Sequence, residues 1–374
     1  MIAFNAANKR ALAVAVVAGL AAGAVAPACA QDGDLFTGPV VEQQAPTTER
    51  TSATNDPIPD ELNAEIDAAV TAGMVWLADR QDADGAFGGG RFGRNVAVTS
   101  LAAIAFMADG HTPGRGEYGD LVEKALEYVL DNATESGLIA ADADNGPMYG
   151  HGFATLFLGE IYGMLGEEGT PQADRAYEAL VKAVRLIERS QNDEGGWRYN
   201  PVPYDADVSV TICQIMALRA ARNAGIEVDK QVIDDAVAYV RRCQNVDGGF
   251  KYQAQGGQSA WPRTAAGVAS LQYAGVYEDE ALDDGLAYLN RTATPGSESS
   301  NAHYWYGHYY SVQAMFLAGG DDWASWWTAI SEHMLSLQLE DGNWRDRSVG
   351  DEYGTAMALI ILQMPKRYLP IFQK

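Results

Sequence analysis

One phrase of seven residues recurs four times in this chain and restricts its fold more than any other feature. It reads Gln-x-x-x-Gly-x-Trp or Phe, and it occurs at Gln81 to Phe87, Gln191 to Trp197, Gln244 to Phe250 and Gln338 to Trp344. Each copy has an acid just before its first glycine (Asp84, Glu194, Asp247, Asp341). The four glutamines lie 110, 53 and 94 residues apart, so halving the first and last gaps gives a period near 50 and six units, two of them degenerate.

The periodicity around the phrases is helical. Before each turn runs a one-sided helix with a charged opposite face: Ile66, Val70, Gly73 and Leu77 in unit one, Tyr177, Leu180, Val184 and Ile187 in unit three, Leu282, Gly285, Leu286 and Leu289 in unit five. After each turn runs a second helix, predicted over about Asn95 to Met107, from about His151, over Asp207 to Ala221, Thr264 to Tyr273 and Asp351 to Gln363. These second helices are apolar nearly all round, the pattern of a buried helix. Unit two has a weakened turn around Gly137, and unit five has a long Ser/Gly/Asn-rich turn in place of the phrase. Six hairpins, each with one exposed and one buried helix, close most economically into two concentric rings with the buried helices inside. The predicted fold is all-α, an (α/α)6 toroid of six helical hairpins over residues 61–374.

Two segments precede it. Residues 1–30 read as a signal peptide: Lys9 and Arg10, the apolar run Ala11 to Ala26, and the cleavage context Ala28-Cys29-Ala30. Residues 31–60, with Pro39, Pro46, Pro57 and Pro59 among polar residues, have the composition of a disordered linker. The expected location is the periplasm or the extracellular space. No later apolar run approaches the roughly 20 residues needed to span a bilayer. Cleavage leaves 24 basic residues against 50 acidic ones, which argues against nucleic acid and anionic membranes as partners. Cys213 and Cys243 are the cysteines left after cleavage, expected as two buried thiols although the compartment permits pairing.

The phrase has a structural job. Its glycine supplies the open turn at the end of an outer helix, its aromatic covers the helix ends, and its Gln amide satisfies backbone groups left over there. Asp82-Ala83-Asp84-Gly85 lacks the remaining ligands of an EF-hand loop, and no metal or cofactor is expected.

The Gln-x-x-x-Gly-x-Trp phrases resemble the QW repeats of squalene and oxidosqualene cyclases, and the helix-pair register resembles the β subunits of protein prenyltransferases. The ending Glu352-Tyr353-Gly354-Thr355-Ala356-Met357 through Tyr368-Leu369-Pro370-Ile371 is similar to a group of secreted bacterial proteins with prenyltransferase/squalene-oxidase repeats. The resemblance covers residues 61 to 374 and implies the toroid.

Candidate site residues come from setting the units in register on an inner-helix threonine: Thr99, Thr155, Thr211, Thr264 and Thr355. Four places earlier stand Asn95, His151, Asp207, Ala260 and Asp351, and the repeated Tyr-Gly-His of units two and five adds His308. This places a polar ring of Asn95, His151, Asp207, His308 and Asp351 at inner-helix N termini, where positive dipole ends converge. Asn and Asp are also favoured N-caps, so a capping role stands beside a chemical one. The run His303 to Tyr310, containing Trp305, Tyr306 and Tyr309, with Trp261 nearby, is expected to wall a cavity that stacks on an apolar ligand, a cation or a sugar ring.

Three enzyme readings meet these residues. Squalene-type cyclases use an Asp-x-Asp-Asp acid; the matching stretch is Asp205-Ala206-Asp207-Val208, where the last acid is Val. Protein prenyltransferases hold Zn²⁺ with Asp, Cys and His, and no Asp-x-Cys is present. An (α/α)6 glycan lyase or hydrolase would pair Asp207 with Asp351, across the ring from each other. The reading is therefore an exported repeat protein that binds an apolar, isoprenoid or glycan ligand, or a protein partner, at the toroid cavity without catalysis. Its alternative is an acid-initiated isoprenoid cyclase using Asp207, with His151, His308 and Asp351 as further catalytic candidates, or a carbohydrate-active enzyme.

Overall fold

A computed structural model describes residues 60–141, 146–165, 169–298 and 302–373. The leader over residues 1–30 and the linker lie outside the described residues, apart from Asp60, which opens the first helix.

Among the described residues there are twelve α-helices and no strand. The outer members are α1 (Asp60–Ala78), α3 (Gly119–Asp131), α5 (Pro171–Ser190), α7 (Lys230–Arg242), α9 (Glu280–Thr292) and α11 (Gly320–Leu337). The inner members are α2 (Val96–Met107), α4 (Met148–Tyr162), α6 (Val208–Asn223), α8 (Trp261–Tyr273), α10 (Tyr304–Ala318) and α12 (Asp351–Gln363). Each inner helix packs on the next, and α12 packs on α2, so the inner layer closes into a ring. The first and last outer helices, α1 and α11, also pack against each other. This is the toroid that the repeat predicts.

Burial follows the two patterns. Outer α5 buries one stripe (Ala176, Leu180, Ala183, Val184, Ile187) and sends its charges outward, whereas inner α6 is buried almost continuously from Val208 to Ala221. Burying a side chain such as Leu180 contributes on the order of 2 kcal/mol, and repetition of that stripe on outer helices holds the two layers together.

The repeated phrase works as a clamp between units. Gln191 Nε2 donates to Gly195 O at 2.9 Å, closing its own turn, and to Val232 O at 2.8 Å, in the next outer helix. Gln81 does the same with Gly85 and Leu121, and Gln244 with Gly248 and Ala281. Gln338 reaches Gly342 and then Ala69 of α1, so the clamp of the sixth unit, the fourth and last of them, closes the ring. Gly195 has φ +91°, and a Cβ there would lie 2.2 Å from Asp235 O, so both the conformation and the close approach to α7 require glycine. The aromatic is fully inserted: Trp197 is 1% exposed, its indole N–H donates to Ile187 O at 2.8 Å, and its backbone N–H donates to Thr211 Oγ1 at 3.2 Å. Phe87, Phe250 and Trp344 make the same backbone bond to Thr99, Thr264 and Thr355.

The ring is filled at its centre. Tyr309 and Tyr310 are fully buried, Phe153 meets Tyr309 edge-on at 6.0 Å, and the Tyr310 hydroxyl lies 3.3 Å from Cys213 Sγ. Over the C-terminal ends of α4 and α6 lies the final turn, where Ile371 N–H donates to Glu160 Oε2 at 3.1 Å and Arg219 Nη2 donates to Gln373 O at 3.1 Å. Cys213 and Cys243 are both buried free thiols. No helix among the described residues is long and apolar enough to cross a membrane.

Candidate functional site

The N-terminal ends of α4, α6, α8 and α10 surround a cavity of about 360 Å³ at one mouth of the ring, lined by Tyr149, Tyr199, Ser209, Tyr252, Pro262, Arg263, His303 and Tyr306. Four of these eight are tyrosines. Tyr149 and Tyr306 come from the first turns of α4 and α10; Tyr199 and Tyr252 come from the loops that follow the third and fourth turns. The Tyr199 and Tyr252 hydroxyls hydrogen-bond to each other, the Tyr149 and Tyr199 rings lie 6.0 Å apart, and the Arg198 guanidinium sits over the Tyr252 ring at 5.5 Å. The result is an aromatic rim that carries hydroxyl groups.

Behind the rim stands Asp207. It is fully buried and caps α6, its Oδ1 accepting from Val210 N–H at 2.9 Å while Tyr252 donates its hydroxyl to Oδ2 at 3.2 Å; Arg198 Nε lies 3.5 Å from the same oxygen. Burial pushes its pKa up to about 6, against the hydrogen bonds from Val210 and Tyr252 and the charge of Arg198. Asp207 thus holds a proton more readily than an ordinary carboxylate, but it is not among the residues that line the mouth, and it is linked to them through Tyr252 and the Ser209 backbone.

The other predicted members of the polar ring disperse. Asn95 caps α2, accepting from Ala97 and Val98 N–H at 2.9 and 3.1 Å. Asp351 is the first residue of α12 rather than its cap, and its carboxylate accepts from Asp346 N–H and Asn343 Nδ2, tying down the loop before the helix.

His151 and His308 stand one turn deeper than the threonine register places them. His151 occupies in α4 the place that Thr99 and Thr211 hold in α2 and α6: its Nδ1 accepts the Ile139 backbone N–H at 3.2 Å, and its Nε2 lies 3.3 Å from Ala183 O. Thr155, the residue on which the sequence register was set, lies a turn further on and returns its hydroxyl to His151 O. The second turn offers Ile139 where the four complete phrases insert a large ring, and the imidazole, longer than a threonine side chain, reaches the Ile139 backbone. Burial pushes the His151 pKa down to about 4, so it stays neutral.

His308 is likewise buried and faces Glu298, with Nε2 2.7 Å from Glu298 Oε1. Burial lowers its pKa; burial also raises that of Glu298, but the hydrogen bond from His308, backbone N–H bonds including that of Gly296, and the His308 charge together hold Glu298 below the usual range. The Trp261 ring lies 4.9 Å from that of His308, tilted by 44°, and Gly307 lets the indole pack closely on α10, since a Cβ there would lie 2.1 Å from it. Trp305 is 4% exposed and donates its indole N–H to Arg345 O at 3.1 Å. Of the predicted ligand-binding aromatics, then, Tyr306 lines the mouth, Tyr309 fills the ring centre, and Trp261 and Trp305 belong to the wall between units.

Tyr149, Tyr199, Tyr252, Arg263 and Glu298 were not singled out from the sequence. Glu298 was accessible by counting from Gly296, because it stands two residues later, where the complete phrases have their aromatic. Among the described residues no group of three or more His, Cys, Asp or Glu is placed to hold a metal ion.

An all-helical ring with its aromatic mouth at the inner-helix N termini defines the α/α-toroid class. The prenyltransferase alpha-alpha toroid domain family matches residues 60–296, and the chain belongs to that family. No curated protein matches it by sequence. Among solved structures it is similar to a substituted type II terpene cyclase MstE from Scytonema in complex with the product merosterolic acid A, with TM-score 0.55 and 15% identity over 82% of this chain and 98% of that one. It is also similar to an inactive variant of an α-1,6-mannanase from Salegentibacter sp. in complex with α-1,6-mannotriose, with TM-score 0.59 and 8% identity over 80% of this chain and 98% of that one. A protein from Actinoplanes matches with TM-score 0.53 and 16% identity over 80% of this chain and 98% of that one. At these identities the likeness is one of fold.

Proposed function

We propose that the protein binds a ligand with a flat, hydroxylated face, of the saccharide kind, at the N-terminal mouth of the ring, and does not transform it. One observation carries this reading: the mouth is a rim of four tyrosines over a filled ring centre, and no carboxylate is among its lining residues. Tyrosine rings stack on the apolar face of a sugar while their hydroxyls bond its edge. A long isoprenoid chain would need a deep dry cavity where Tyr309 and Tyr310 stand. Glycoside hydrolysis would need two carboxyl groups flanking the bond. The mannotriose held by the mannanase-type toroid supports a saccharide as the first probe.

A second reading rests on Asp207. Its raised pKa and its hydrogen bond to Tyr252 suit a proton donor of the kind that starts terpene cyclisation, as the likeness to MstE suggests. The two separate in one experiment, in which α-1,6-mannotriose and geranylgeranyl dihydroxybenzoate are each incubated with the protein, binding is followed by saturation-transfer NMR and products by mass spectrometry. Mannotriose binding without product, lost in Tyr306→Ala, is the expected result. A cyclised product that disappears in Asp207→Asn would replace this reading with the cyclase.

A further inference from the structure

The turn of unit five departs from the other five. In those, the turn glycine abuts the backbone of the next outer helix: a Cβ on Gly85, Gly137, Gly195, Gly248 or Gly342 would lie between 2.1 and 2.7 Å from a carbonyl oxygen there. Gly296 instead faces the His333 imidazole, at 3.2 Å, near the end of α11. The place of the clamp glutamine is held by Thr292, which donates its hydroxyl to Tyr288 O in its own helix. The place of the aromatic is held by Glu298, whose side chain is 4% exposed and whose Oε1 also accepts from Gly296 N–H at 2.9 Å.

Where the complete turns insert a ring, this wall keeps a cavity of about 780 Å³, distinct from the mouth, lined among others by Glu298, Tyr304, Trp305, His333, Arg345 and Arg347. Its polar groups are sorted. Near the floor are the Glu298 carboxylate and the Tyr304 hydroxyl, which is buried without a partner among the described residues. Arg345 and Arg347, two residues apart on the loop before α12, are exposed and form no ion pair among the described residues. Asp346, which also lines the cavity, makes no ion pair with either arginine among the described residues; its Oδ1 accepts from Ser348 and Val349 of its own loop.

We propose that this wall cavity binds an acidic sugar, independently of the mouth. Its carboxylate would meet Arg345 and Arg347, whose guanidinium forks match carboxylate geometry; its hydroxyls would meet Glu298 and Tyr304; its apolar face would lie on the Tyr304 and Trp305 rings. Glu298 repels an anion from the floor and so fixes which end enters. A neutral sugar leaves the arginine pair unused, and a hydrocarbon ligand strands the buried carboxylate and hydroxyl.

The test is titration calorimetry with trigalacturonic acid and, as neutral counterpart, galactotriose, on wild type, Arg345→Gln/Arg347→Gln, Glu298→Gln and Tyr306→Ala, with circular dichroism confirming the fold of each. Wild type is expected to bind the acidic trisaccharide about tenfold tighter or more than the neutral one, and the arginine pair substitution to remove that preference. Both arginines are exposed, so this variant tests the site even if Glu298→Gln fails to fold. Tyr306→Ala is expected to leave trigalacturonate binding unchanged, which separates this site from the mouth. Absence of trigalacturonate binding, equal binding of the two sugars, or an affinity that responds to Tyr306 and not to the arginines would overturn the proposal.

Discussion

The junction between units three and four and the junction between units five and six are built on the same turn with opposite contents. At the first, Gln191 bridges to Val232, Gly195 abuts α7, and Trp197 fills the space between layers and donates its indole N–H to a helix carbonyl. At the second, Thr292 bonds within its own helix, Gly296 faces a histidine ring, and Glu298 is paired with His308 beside an open cavity. A repeat that only had to hold the ring together would gain nothing from a buried carboxylate. The lesson is that a degenerate repeat in a closed ring has room for other contents, because the four complete phrases clamp the ring.

The largest expected effect that tests this contrast is at the regular junction. Trp197→Ala removes a fully packed indole and should cost about 3–5 kcal/mol, read as a lowered midpoint in denaturant melts; a neutral melt would remove the clamp from the account. Glu298→Ala should cost less, about 2 kcal/mol, because it leaves the buried His308 without its partner rather than opening a packed core. The double change Glu298→Phe/His308→Thr restores the aromatic of the phrase, though not its glutamine, and should recover most of that loss, since a packed apolar side chain can replace a buried polar pair. If the double variant is less stable than Glu298→Ala, the two junctions are not variants of one design.

Asp207→Asn gives a pH-dependent effect of similar size. The folded pKa of Asp207 lies above its unfolded value, so the neutral acid is favoured in the fold, and that contribution is present below about pH 4 and lost as pH rises through about 6. Asparagine caps a helix equally well. Relative to the variant, wild type should therefore lose on the order of 2 kcal/mol of stability between pH 4 and 6 in paired urea melts; a difference flat with pH would mean that Asp207 is not held in a desolvated site. Smallest is Gln191→Ala, which removes the amide's two hydrogen bonds and should cost about 1 kcal/mol.

The ring itself was legible because its cause is local and repeated: Gly195 and Trp197 recur at fixed spacing, and α6 reads as apolar on every side. The end of α12 at Gln363 and the cap at Asp207 could be placed by the same logic. The site was less legible. The register set on Thr155 moved His151 by one helical turn, because the chain exchanged a threonine and a large ring for a histidine and an isoleucine that do the same job. Tyr199 and Tyr252 come from loops between helices, where periodicity gives no register, and they meet only through the packing of consecutive units. The pairing of Glu298 with His308 is a contact across a turn that carries no glutamine signal.

The central claim is that the repeated phrase frames the ring while the tyrosine mouth does the binding. Calorimetric titration of α-1,6-mannotriose into wild type, Tyr306→Ala and Gln191→Ala tests it most directly. The account expects binding by wild type, loss in Tyr306→Ala and unchanged affinity in Gln191→Ala. Loss in a folded Gln191→Ala together with full affinity in Tyr306→Ala would contradict it.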